Sequence, residues 1–150
     1  MIFISHRGNV YGPDPKKENS PTHIKNAIDL GFDVEIDLLY LDNSFWLGHD
    51  IMLYQIDYKF LIKYKKRLWC HAKSAAALKK LLDLNMHCFF HDKDDMTLTS
   101  KNYIWVYPEY QYINDYCIIV HPERHGVDFR CAAGLCSDYI YYINKGSLKK

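Results

Sequence analysis

Short apolar runs recur along the whole chain, spaced to leave a helix or a loop between them. This alternation points to an α/β fold whose sheet is built from crossover-connected strands. The runs are Met1–Ser5, Phe32–Leu38, Leu68–His71, His87–His91, Tyr103–Tyr107, Tyr116–Val120 and Gly134–Asp138, about seven candidate strands. Between the first two, Ser20 is placed to cap a helix and Pro21 suits its first turn. Ile24, Ala27 and Ile28 follow at helical spacing and Gly31 closes the helix, which makes one βαβ unit. Asp42-Asn43 is a turn pair between Leu39–Leu41 and Phe45–Leu47, so a hairpin is expected to return His49 toward the end of the second strand. The clearest later helix is Ser74 to Asn85, with Ala77, Leu78, Leu81 and Leu82 on its apolar face. The links after His91 and Tyr107 are too short for full helices packed outside a sheet.

A complete eightfold barrel takes about 250 residues and rarely fewer than about 200, and this chain has 150. The expectation is one domain over residues 1–150, a reduced TIM-like (β/α) barrel of about seven strands with shortened or missing βα units in its second half. With 49% hydrophobic and 25% charged residues the composition is that of a globular protein with a real core. No apolar run approaches the roughly 20 residues of a membrane-spanning helix. A net charge of +1 gives no nucleic-acid footprint, and Lys59, Lys63, Lys65, Lys66 and Arg67 read as a solvated face. Five cysteines without a C-x-x-C pair read as buried free thiols in a reducing compartment, so a cytoplasmic protein starting at or near Met1 is expected. Shortened outer helices would leave strand faces uncovered, which favours a homodimer.

The chemistry concentrates in the first third. His6 and Arg7 end the first strand, and Gly8 lets the chain turn away at once. Glu35 and Asp37 are two apart in a strand and so share a face, while Val34, Ile36 and Leu38 share the other. Two acids on one inward face call for a cation between them, and carboxylates suit Mg²⁺, Mn²⁺ or Ca²⁺. His49 is expected opposite His6, where paired imidazoles can exchange protons with a nucleophile and a leaving group. His91 with Asp92, and His121-Pro122-Glu123 with His125, are strand-end residues expected at the rim. Trp105 is either pocket wall or core.

Four pieces in order, Ile4-Ser5-His6-Arg7-Gly8, Glu18-Asn19, Glu35-Ile36-Asp37 and Gly48-His49-Asp50, resemble the glycerophosphodiester phosphodiesterase family, within the wider group of phosphatidylinositol phospholipase C-like barrel enzymes. The resemblance covers Ser5 to Asp50. Further on, Tyr103–Tyr107 looks like the family's tryptophan-bearing penultimate strand and Gly134–Asp138 like its last. It implies metal-dependent hydrolysis of a small phosphodiester, with His6 and His49 exchanging protons, Glu35 and Asp37 binding one divalent metal, and Arg7 holding the phosphate. The segment matching the family's Glu-x-Lys strand is His71-Ala72-Lys73. Lys73 is retained as a phosphate contact, and His71 stands where the third metal ligand is usually Glu. An imidazole ligand favours Mn²⁺ or Co²⁺ over Mg²⁺ or Ca²⁺. Two other outcomes are compatible with the chain: a weakened barrel that binds phosphorylated ligands without turnover, and a lipid phosphodiesterase, for which no apolar mouth stands out in the sequence.

Overall fold

The computed structural model describes residues 1–107, 113–124 and 128–147. His125 and the basic tail at Lys149 and Lys150 lie outside the described residues. In chain order the elements are β1 (Ile2–His6), α1 (Pro21–Asp29), β2 (Asp33–Leu41), β3 (Ser44–Leu47), β4 (Tyr54–Ile56), α2 (Tyr58–Lys63), β5 (Leu68–Ala72), α3 (Ala75–Asp83), β6 (Cys88–Phe89), β7 (Met96–Leu98), β8 (Ile104–Val106), β9 (Cys117–Val120), β10 (Gly134–Ser137) and α4 (Ile140–Asn144). A 3₁₀ turn, Pro122–Arg124, follows β9.

The local signals act as their chemistry requires. Ser20 Oγ accepts from the His23 N–H at 3.2 Å and starts α1, and Ser74 Oγ accepts from the Ala77 N–H at 3.1 Å and starts α3. Asp42 and Asn43 both take positive φ, 49° and 58°, in the turn that pairs the end of β2 with β3.

Seven strands run parallel in the order β6-β5-β2-β1-β10-β9-β8. The β3–β4 hairpin extends β2 and β7 lies antiparallel on β8. The sheet is strongly curled and mostly parallel, a half-barrel. The reduced barrel expected from the sequence is therefore corrected in one respect: it is not closed. β6 has two residues and gives two rungs to β5. On the other side it meets the β7 region through Ser100 N–H to Cys88 O (2.8 Å) and Thr97 Oγ1 to Phe90 O (2.9 Å), bonds too few to form a ladder.

Side-chain alternation divides the protein into two apolar layers. Outward residues Val34, Ile36 and Leu38 of β2 and Leu68, Cys70 and Ala72 of β5 join Ile24 and Ala27 of α1, Leu61 of α2, and Ala77 and Leu81 of α3. Burying each such Leu or Ile contributes about 1.5–3 kcal/mol, which is what holds the helices on the sheet. Inward residues Ile4, Trp69, Phe89, Trp105, Ile118, Val120 and Cys136 form a second cluster inside the curl. The stacked rings of Phe89 and Trp105, 4.6 Å between centroids, span the gap between β6 and β8 where backbone pairing fails. Cys70, Cys88, Cys117 and Cys136 are buried free thiols, as expected, and Cys131 is exposed. Among the described residues, no helix is long and apolar enough to cross a membrane.

Candidate active site

The site follows from period-two alternation. Two residues beyond five of the seven inward apolar residues, the same face carries a polar one: Ile4 leads to His6, Trp69 to His71, Phe89 to His91, Trp105 to Tyr107 and Cys136 to Asp138. Because the seven strands are parallel, these second residues gather at their C-terminal ends. They form a polar mouth above the apolar floor, a cavity of about 350 Å³ lined by His6, Arg7, Glu18, Glu35, His49, His71, His91, Trp105, Tyr107, Val120, His121, Arg124 and Asp138. Trp105 is thus both core and floor, being 2% exposed yet part of the cavity wall. Asp92 lines a neighbouring cavity instead, shared with His91 and His121.

Glu35 and Asp37 do share the inward face, both buried. The register sets Asp37 beside His71, and His71 Nδ1 lies 3.1 Å from Asp37 Oδ1 and 3.7 Å from Glu35 Oε1. Asp37 does not reach the cavity surface: Asn19 Nδ2 donates to its Oδ2 at 3.0 Å, and Arg7 Nε lies 2.9 Å from the same atom. Burial pushes the Asp37 carboxyl up, but His71, Arg7 and Asn19 outweigh it and hold the group below the usual carboxylate range. Glu35 goes the other way, raised by burial and by the neighbouring Asp37 charge. Burial likewise lowers His71.

The donor set fits a cation. Oxygen and nitrogen ligands about 2.1 Å from an octahedral ion are spaced about 3 Å apart, close to the 3.1 Å between His71 and Asp37. The donor atoms of Glu35, Asp37 and His71 all lie within 4.8 Å of one another. Asp37 Oδ1 is buried and has His71 Nδ1 as its near polar neighbour, at 3.1 Å and outside hydrogen-bond geometry. A buried carboxylate oxygen set against an imidazole nitrogen in this way is an environment a metal completes.

His6 and His49 line the same cavity. His6 Nδ1 bonds Asp138 Oδ1 at 2.8 Å, and its Nε2 faces Glu35 Oε2 at 3.9 Å. Asp138, held low by the His6 contact against the upward push of burial, fixes the ring with Nε2 toward the cavity. His49 sits on the turn after β3, with Nδ1 2.8 Å from Asp50 Oδ1 and Nε2 3.2 Å from Lys73 Nζ. Lys73 is therefore at the rim beside His49 rather than in the cavity wall. Arg7 is already engaged, by Asp37 and by Glu18 Oε2 at 3.2 Å.

Several residues of the mouth carry roles that the sequence did not assign. Asp138 pairs with His6 across 132 positions. Asn9 Nδ2 donates to both Asp138 Oδ1 (2.8 Å) and Glu18 Oε1 (3.0 Å), tying the ends of β1 and β10. His121, placed at the rim by its strand-end position, stands edge-on to His6 with centroids 4.7 Å apart. Tyr107 hydrogen-bonds His91, whose pKa burial lowers to about 4. The i+2 rule after each inward apolar residue would have found Asp138, Tyr107 and His91 together. Arg7 and His121 of the mouth, and Asn19 beneath it, take positive φ of 54°, 49° and 60°, uncommon backbone conformations for residues other than glycine. Compared with protein-family models, curated proteins and solved structures, the chain matches none of them.

Proposed function

We propose that this chain is a divalent-metal-dependent phosphodiesterase acting on a small phosphodiester, a glycerophosphodiester by its resemblance to that family. The observation that carries the proposal is the convergence of Glu35, Asp37 and His71 on one point, Glu35 and His71 lining a mouth that also contains His6 and His49 and Asp37 lying just beneath it. Glu35, Asp37 and His71 would hold the metal, which when bound offsets negative charge on the phosphate oxygens. Lys73, and the part of the Arg7 guanidinium not engaged by Asp37 and Glu18, attract the phosphate.

With Nδ1 held by Asp138, His6 presents Nε2 to the cavity, suited to accept or return a proton. Lys73 donates to His49 Nε2, and a phosphate drawing Lys73 away frees that nitrogen for the second proton transfer. An attacking hydroxyl, from a neighbouring alcohol or from water, loses its proton to one histidine as its oxygen bonds phosphorus. The departing alkoxide takes a proton from the other, which enters the step as imidazolium after its Nε2 has taken a proton from solvent. The test is hydrolysis of bis(p-nitrophenyl) phosphate and glycerophosphodiesters across Mg²⁺, Mn²⁺, Ca²⁺ and Co²⁺. No turnover in any metal favours a non-catalytic module that binds phosphorylated ligands.

One feature favours a lipid phosphodiester as second substrate class. Directly after His49-Asp50, Ile51, Met52 and Leu53 are 64%, 43% and 47% exposed, an apolar edge on the turn that carries a proposed catalytic histidine. Gly48 fixes this turn, with φ 146° and a hypothetical Cβ only 2.0 Å from Ile51 O. Faster hydrolysis of a vesicle-borne lysophospholipid than of its soluble headgroup diester, lost in Ile51→Ser with Leu53→Ser, would support this class. Equal rates would remove it.

A further inference from the structure

We infer that the mouth carries a second, softer cation site, built from His6, His121 and Asp138 with Glu123 beside them. It shares no residue with the Glu35–Asp37–His71 trio but adjoins it, His6 Nε2 lying 3.9 Å from Glu35 Oε2. One donor atom from each of His6, His121 and Asp138 lies within 4.8 Å of the others. His6 Nδ1 is 2.8 Å from Asp138 Oδ1, and His121 Nδ1 is 3.9 Å from Asp138 Oδ2 and 3.1 Å from Glu123 Oε1. Ligands about 2.0–2.1 Å from a tetrahedral ion stand about 3.3 Å apart. The observed separations straddle that value, so side-chain adjustments bring the two imidazoles and the Asp138 carboxylate onto one ion, with Glu123 3.1 Å from His121 beside it.

The carboxylates are held from behind in the manner of metal sites. Asn9 Nδ2 donates to Asp138 Oδ1 at 2.8 Å, and Ser137 Oγ donates to Glu123 Oε2 at 2.8 Å; Asn9 and Ser137 are both fully buried. His121 takes φ 49°, an uncommon left-handed conformation, as it brings its ring to His6.

The two sites differ in kind. Two carboxylates and one imidazole suit Mn²⁺ or Co²⁺, whereas two imidazoles with a carboxylate suit Zn²⁺. Occupation of the second site also has a chemical consequence. A cation on His6 Nδ1 requires the ring's one proton to sit on Nε2, so His6 can no longer accept a proton there. Zn²⁺ is therefore an inhibitory ligand of this mouth. The inhibitory part rests on the phosphodiesterase proposal; the binding part does not.

The experiment is a Zn²⁺ titration of the chelator-treated whole chain by calorimetry, with bound metal counted after dialysis. Expected are two Zn²⁺ per wild-type chain, one in His121→Asn, one in Glu35→Gln and none in the double variant. Asn is chosen at position 121 because it tolerates left-handed φ and is a poor ligand; Glu123→Gln, which keeps the side-chain shape, is expected to weaken the same equivalent. A single Zn²⁺ in the wild type, or two in His121→Asn, overturns the proposal. In Mn²⁺-supported turnover, the Zn²⁺ concentration for half inhibition should rise at least tenfold in His121→Asn relative to wild type. If no metal supports turnover, the phosphodiesterase proposal fails while the metal count still decides the second site.

Discussion

Asn19 is the residue on which the buried Asp37 depends, and its removal has a calculable cost. Its Nδ2 donates to Asp37 Oδ2 and its Oδ1 accepts the Asp37 backbone N–H, each at 3.0 Å, with Asp37 fully buried. Losing a hydrogen bond to a charged group costs about 1.5–3 kcal/mol and a neutral one about 0.5–1.5 kcal/mol. Asn19 also takes φ 60°, where a residue such as Ala pays about 1–2 kcal/mol that Gly does not. Asn19→Ala should therefore destabilise the metal-free protein by about 3–6 kcal/mol. At about 2–4 °C per kcal/mol for a domain of this size, the midpoint falls by about 6–24 °C. Asn19→Gly loses the same bonds without the backbone penalty and should be about 1 kcal/mol more stable than Asn19→Ala. Urea unfolding with an unchanged m-value measures both. A loss under about 1 kcal/mol in both variants, or Gly falling below Ala, refutes the argument. In the Gly variant metal affinity should drop by about 10- to 100-fold, since Asn19 orients a proposed ligand.

Three further expectations follow from the same mouth and its floor. His49→Ala should lower turnover by about two to four orders of magnitude while leaving metal binding intact, and full activity would remove His49 from the chemistry. With His71 as a ligand the wild type should prefer Mn²⁺ or Co²⁺, and His71→Glu should shift the preference toward Mg²⁺; activity profiles across the four metals unchanged by His71→Glu make it a packing residue. His87 lies tilted against Trp69 with centroids 3.9 Å apart and bonds Thr99 Oγ1 at 2.8 Å, and burial lowers its pKa to about 4. Its neutral form is the stable one in the fold, so its contribution is complete above the ordinary histidine value near 6.5 and is lost as pH falls from there toward about 4. Stability followed by urea midpoint should fall across that window by at most about 1.4 kcal/mol per pH unit from this group, and His87→Phe should flatten the slope.

The sequence by itself determined what is local. Ser20 and Ser74 set helix starts, Asp42-Asn43 set the hairpin turn, and the two-residue period put Glu35 and Asp37 on the face opposite Val34 and Ile36. Each of these depends on neighbours within a few positions, so composition and spacing suffice. The seven parallel strands were legible for the same reason, since each is one apolar run. Which residues meet across the curl was decided by strand order. Asp138 reaches His6 because β10 lies beside β1, with Ile4 opposite Cys136 and Ser5 opposite Ser137. His121 joins them because β9 lies next to β10. The failure to close was also a tertiary outcome: a two-residue β6 and an antiparallel β7 leave no continuous edge to pair. Alternation fixes the face on which a side chain stands; only the packing of distant strands fixes what stands across from it.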